Sequence, residues 1–118
     1  MRITTIDLGD RSYPVYLGTN ILEKFPEILA SSQLPNNVFI VCDTNVARLH
    51  LKKLKSVLHD SDVTTASIII PHGERQKSIA RANKLYDVLA RHRASRKDVI
   101  IAFGGGVVGD VAGFVAAT

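Results

Sequence analysis

Val99-Ile100-Ile101-Ala102-Phe103-Gly104-Gly105-Gly106-Val107-Val108-Gly109-Asp110 is the stretch that decides the fold of this 118-residue chain. Its apolar opening is continuous, as expected of a strand covered on both faces. The glycines break that strand, and Val107 to Ala117 then reads as a helix. A strand, a glycine turn and a helix in direct succession is the unit of a parallel α/β sheet. Read literally, Gly104 to Gly109 contains G-x-G-x-x-G. Such a turn lets backbone approach a pyrophosphate, and the helix N-terminus offers unpaired N–H groups and a favourable dipole. The same glycines also serve tight strand–helix packing, and the pattern alone does not separate the two roles.

Upstream, the alternation recurs. Val38-Phe39-Ile40-Val41-Cys42 and Ser67-Ile68-Ile69-Ile70 are further apolar runs, each expected as a buried strand. Between them Val46, Leu49, Leu54, Val57 and Leu58 recur at helical spacing, and Ile79, Ala82, Leu85, Tyr86 and Leu89 do so after the second run. Helical crossovers of this kind make the strands parallel. The beginning of the chain differs. Ile3 to Leu8 and Tyr13 to Leu17 are strand signals joined by Gly9-Asp10-Arg11-Ser12, which reads as a hairpin. Asn20 is placed to cap a helix whose stripe is Ile21, Leu22, Phe25, Ile28 and Leu29, with Pro26 predicting a kink or a late start. Pro35-Asn36-Asn37 is a loop. No repeat or linker divides the chain, so residues 1–118 are expected to be one domain. Apolar spacing still runs at Thr118, so the last helix reads as cut.

In parallel sheets ligands bind beyond the carboxyl ends of the strands, so the polar residues there carry the functional reading. The glycine motif departs from the usual dinucleotide fingerprint: it follows the third buried strand, and an acidic residue about twenty positions on would lie past Thr118. Nor is it a P-loop, because Asp110 stands at the lysine position and would repel a triphosphate. Asp43-Thr44-Asn45-Val46 follows the first buried strand. Asp and Asn cap helices, and a strand-end carboxylate also accepts hydrogen bonds from ribose hydroxyls; the two roles can coexist. Pro71-His72-Gly73-Glu74-Arg75-Gln76-Lys77-Ser78 follows the second. Here Gly73 supplies a turn, Glu74 and Lys77 lie close enough to pair, and Ser78 caps the helix at Ile79.

Composition sets limits. Fifteen Lys and Arg against eleven Asp and Glu leave a net charge of +4, much of it in the run Arg91 to Lys97 at a predicted helix end, where cations complement the dipole. With 6% aromatic residues and no Trp, a nucleic-acid platform is not expected. Val99 to Thr118 is the least polar stretch, but glycines divide it and Asp110 interrupts it, which argues against a membrane span. Cys42 is the only cysteine, so no intrachain disulfide forms, and nothing beside it would activate its thiol. No secretory signal opens the chain, which gives a cytoplasmic expectation. His50, His59 and His92 fall on helix surfaces or ends, and His72 stands in a loop, so no metal-ligand spacing is present.

Together these segments resemble the dehydroquinate synthase family. Its pattern P-x-G-E-x-x-K-S/T matches Pro71 to Ser78, its G-G-G-V-I/V-G-D matches Gly104 to Asp110, and its D-x-N-V matches Asp43 to Val46. The helix opening Val111-Ala112-Gly113-Phe114-Val115 also fits, and the resemblance runs over the whole chain. It implies a Rossmann-like α/β domain with an N-terminal hairpin, here without the family's C-terminal helical domain. It implies an NAD- and zinc- (or other divalent metal-) dependent enzyme of the shikimate pathway, which converts 3-deoxy-D-arabino-heptulosonate 7-phosphate to 3-dehydroquinate and phosphate. A small sugar-phosphate substrate, a homodimer at full length, no nucleic acid and no membrane follow as expectations. By the same resemblance Asp43 and Asn45 contact the adenosine half of NAD. Glu74 and Lys77 bind the cofactor, with His72 and Gly73 shaping their loop. Gly105, Gly106, Val107 and Gly109 admit the pyrophosphate, and Asp110 lies toward the nicotinamide riboside. Metal ligands and catalytic residues are expected outside this chain, which alone is expected to be inactive. Related readings are a 2-deoxy-scyllo-inosose or valiolone synthase, a glycerol-dehydrogenase-like oxidoreductase, or a non-catalytic nucleotide-binding module.

Overall fold

Strand β3 (Asn37–Asp43) organises the molecule, because each residue from Val38 to Cys42 is buried. The computed structural model describes residues 2–30, 37–59, 63–73 and 78–118. Within it β3 is flanked by β4 (Thr64–Ile70) and β5 (Val99–Phe103) in a parallel sheet of order β4-β3-β5, with Val41 opposite Ile68 and Ala102. Alternation along β3 then feeds two cores. Val38, Ile40 and Cys42 pack with Leu29 of α1 (Phe25–Ala30), with Leu51, and with Leu54 and Leu58 of α3 (Lys52–His59). Val41 faces the other way, toward Ala82 and Leu85 of α4 (Ile79–Arg91) and Val108, Val111, Ala112 and Val115 of α5 (Gly106–Ala117). Burying a leucine such as Leu54 or Leu58 contributes about 2 kcal/mol.

The expected hairpin is present as β1 (Arg2–Ile6) against β2 (Tyr13–Leu17), antiparallel, in a sheet of its own. It is shorter than the strand signal, which runs to Leu8. Past Ile6 the backbone is taken by local side chains: Ser12 Oγ accepts from Leu8 N at 2.9 Å and donates to the Gly9 carbonyl at 2.7 Å. Asn20 does not cap through its side chain. It lies in the left-handed region at φ 54°, and a 3-10 turn (Ile21–Lys24) precedes α1. Pro26 then falls in the first turn of α1, where its missing N–H is tolerated.

Other expectations change with the sheet order. β4 and β5 are edge strands, so they are not covered like β3: along β4 only Ile70 is buried and Ile69 is half exposed. Leu49 does not join the apolar stripe, being 61% exposed, while Leu51 is buried. The cause is a π turn over Ala47–Leu51, between the short helix α2 (Thr44–Val46) and α3, which adds a residue to the helical repeat. Ile79, expected on a core stripe, is exposed, and so is Phe114. Helix α4 ends in a closed motif: Ala94 N donates to the Leu89 carbonyl and Arg93 N to that of Ala90, with Arg93 at φ 54°. Among the described residues, no helix is long and apolar enough to cross a membrane.

Candidate functional site

Since β4 and β5 flank β3, the residues leaving β3 stand between the other two strand ends. The chain leaves β3 toward the face covered by α1 and α3, but leaves β4 and β5 toward the face covered by α4 and α5. The end of β3 is therefore the topological switch point of the sheet, the position at which open α/β sheets take up ligands.

Asp43 ends β3 and caps the next helix, its Oδ1 accepting from Val46 N at 2.8 Å. Capping thus uses one carboxylate oxygen of a half-buried side chain, and Asn45 lies exposed one residue beyond Thr44. Thr44 Oγ1 is 3.2 Å from His72 Nδ1, so the loops after β3 and β4 are hydrogen-bonded to one another. Gly73 follows at φ 117°, a conformation that explains its glycine. Glu74 and Lys77 lie outside the described residues. Ser78 caps α4 as expected, accepting from Arg81 N at 3.1 Å.

After β5 the glycines divide into two kinds. Gly104 is at φ 155°, and a methyl built on it would stand 3.2 Å from Val108 Cγ2 and 3.5 Å from Val46 Cγ2. Its glycine serves the fold. Gly105, Gly106 and Gly109 have nothing within 4 Å of a built methyl. Packing does not require them. Gly105 is the N-cap of α5 and brings no side chain to it. The Gly109 amide bonds the Gly105 carbonyl at 3.0 Å, which leaves the amides of Gly106, Val107 and Val108 ahead of the helical ladder. Open space over glycines and a helix N-terminus without a side-chain cap fit the pyrophosphate of a dinucleotide. Val107 contributes only backbone here, because its side chain packs on the core. Asp110 lines a groove of about 270 Å³ with Ser78, Ile79, Ala82, Val111 and Phe114, between the starts of α4 and α5.

Cys42 is fully buried, and burial pushes its thiol above the ordinary range, with the neighbouring Asp43 carboxylate adding to that. Among the described residues no group of three His, Cys, Asp or Glu could hold a metal ion. Two participants escape sequence reasoning. Thr44 and Val46 stand inside a quoted motif, but their partners His72 and Gly104 are distant in sequence.

The 3-dehydroquinate synthase N-terminal family profile matches residues 67–118. A 3-dehydroquinate synthase of Desulforamulus reducens is 42% identical over 96% of this chain and 32% of its own length. The chloroplastic 3-dehydroquinate synthase of Solanum lycopersicum is 38% identical over 98% of the chain and 26% of its own length. In structure, the chain superimposes on a 2-deoxy-scyllo-inosose synthase complexed with carbaglucose-6-phosphate, NAD+ and Co2+, with a TM-score of 0.87 at 20% identity, over 99% of this chain and 32% of that one. It also matches the 2-epi-5-epi-valiolone synthase of Streptomyces hygroscopicus with NAD+ and Zn2+ bound, with a TM-score of 0.75 at 24% identity, over 99% and 31% of the two chains. These likenesses show the fold, and the Rossmann-like reading stands. The chain spans about a third of the length of the curated relatives it matches, and along nearly all of its own length it is similar in sequence to 3-dehydroquinate synthases.

Proposed function

We propose that this chain is the NAD-binding domain of a 3-dehydroquinate synthase, the enzyme that converts 3-deoxy-D-arabino-heptulosonate 7-phosphate to 3-dehydroquinate and phosphate. The observation that carries the reading is the meeting of three strand-end motifs around β3, with the Thr44–His72 bond joining two of them and Val46 Cγ2 lying 3.5 Å from where a Gly104 methyl would stand. In this reading Asp43 and Asn45 hold the adenosine ribose, and His72 and Gly73 shape the loop from which Glu74 and Lys77 reach the cofactor. The backbone at Gly105, Gly106, Val107 and Gly109 receives the pyrophosphate, and Asp110 faces the nicotinamide riboside. Bound NAD supplies a transient hydride acceptor. Catalytic zinc or another divalent metal, the sugar-phosphate site and the dimer contact belong to the longer protein, which works in the cytoplasm without nucleic acid or membrane. This chain alone turns over no substrate. Relatives named for the dehydroquinate reaction match at 36–42% identity, which favours it over the other cyclase reactions.

Calorimetric titration with each cofactor tests the reading. The Asp43 carboxylate repels a 2′-phosphate, and no arginine stands in its motif to receive one, so NAD is expected to bind about tenfold or more tightly than NADP. Equal or tighter binding of NADP overturns the assignment.

A further inference from the structure

Val46 lies near the ends of both β3 and β5. Its backbone amide donates to Asp43 Oδ1 at 2.8 Å, which fixes the carboxylate at the end of β3. Its side chain reaches the other strand end: Cγ2 lies 3.5 Å from the place a Gly104 methyl would occupy, and Val108 Cγ2 lies 3.2 Å from the same place. A side chain on Gly104, at φ 155°, would thus meet a valine from the end of β3 and a valine from α5. A β-branched side chain in a helical turn has essentially one rotamer, so this spacer is stiff.

We propose that Val46 is a positioning residue that sets the distance from the carboxylate of Asp43 to the glycines beyond Gly104, past the last β3–β5 pair, Cys42 with Phe103. The proposal rests on the nucleotide reading above and goes beyond it, because Val46 itself touches no ligand. A ligand spanning both anchors, a nucleoside diphosphate, depends on that distance. A ligand that meets only the Asp43 side, a nucleoside, does not.

The test titrates the full chain with ADP and with adenosine, following amide chemical shifts. Val46→Ala removes the spacer, and is expected to weaken ADP about fivefold while leaving adenosine unchanged. Val46→Leu keeps an apolar side chain, one methylene larger, but moves the branch away from Cβ, so it repeats that loss even if the alanine variant folds poorly. Val46→Ile retains both γ carbons and restores ADP binding. Parallel losses of ADP and adenosine, or no loss of ADP, overturn the spacing role while leaving the nucleotide reading intact. If the unsubstituted chain binds neither ligand, the nucleotide reading falls, and this inference with it.

Discussion

The two ends of the parallel sheet are finished in opposite ways. At the end where β3 and β5 stop, α5 begins on glycine with no side-chain cap, and its first amides stand ahead of the helical ladder. At the other end, α4 stops in a closed motif, and the turn into β5 is sealed by Asp98, whose Oδ2 accepts from Ser95 N at 2.9 Å while Oδ1 accepts from Asn37 Nδ2 at 3.3 Å. Each end contains a residue at positive φ. A methyl on Gly104 would meet two valines, whereas Arg93 stands exposed just past the end of α4. A glycine in a crowded position is there for the fold. A glycine with open space above it is available to a ligand. An arginine in the left-handed region serves neither purpose and carries a small conformational penalty.

That contrast is broken or sharpened by substitution. Gly104→Ala combines an unfavourable φ with a methyl 3.2 Å from Val108 Cγ2, and should destabilise the chain by about 2 to 3 kcal/mol in urea denaturation. An unchanged midpoint would mean the valine clamp is loose. Gly106→Ala meets no neighbouring atom, so stability should hold or rise by a few tenths of a kcal/mol, while NAD affinity drops by about tenfold. Calorimetry showing full affinity in a folded variant would reduce the motif to packing. Arg93→Gly should stabilise the chain by about 0.5 kcal/mol, after the larger freedom of glycine in the unfolded chain is counted. A loss of stability in thermal unfolding would show that the arginine side chain contributes more than its backbone costs.

Much of this was legible from residues. The run Val38 to Cys42 announces a strand covered on both faces, and β3 is that strand. Ser67 to Ile70 carries the same signal, yet β4 lies at the edge, because the order of strands depends on contacts between distant segments. A run of three isoleucines cannot tell centre from edge. Asn20 has the right chemistry for a cap, but its left-handed backbone turns the side chain to no such use. For the site, the motifs located the strand ends correctly, and Asp43 does cap the helix that follows. What no local pattern could supply was which ends meet. His72 finds Thr44 and Val46 finds Gly104 only once β3 is set between β4 and β5.

The π turn at Ala47–Leu51 bears on how the length of this chain can vary. Its inner anchors, Val46 and Leu51, are separated by one residue more than an α-helix allows for neighbours on a single face. The surplus is carried by Arg48, Leu49 and His50, all exposed. Loss of any one of them would leave Val46 and Leu51 four apart, the natural interval of an uninterrupted helix. Both anchors would keep their seats, one on the glycine turn and one on the sheet. The segment is therefore a point where deletion of one residue in the coding sequence would do little harm.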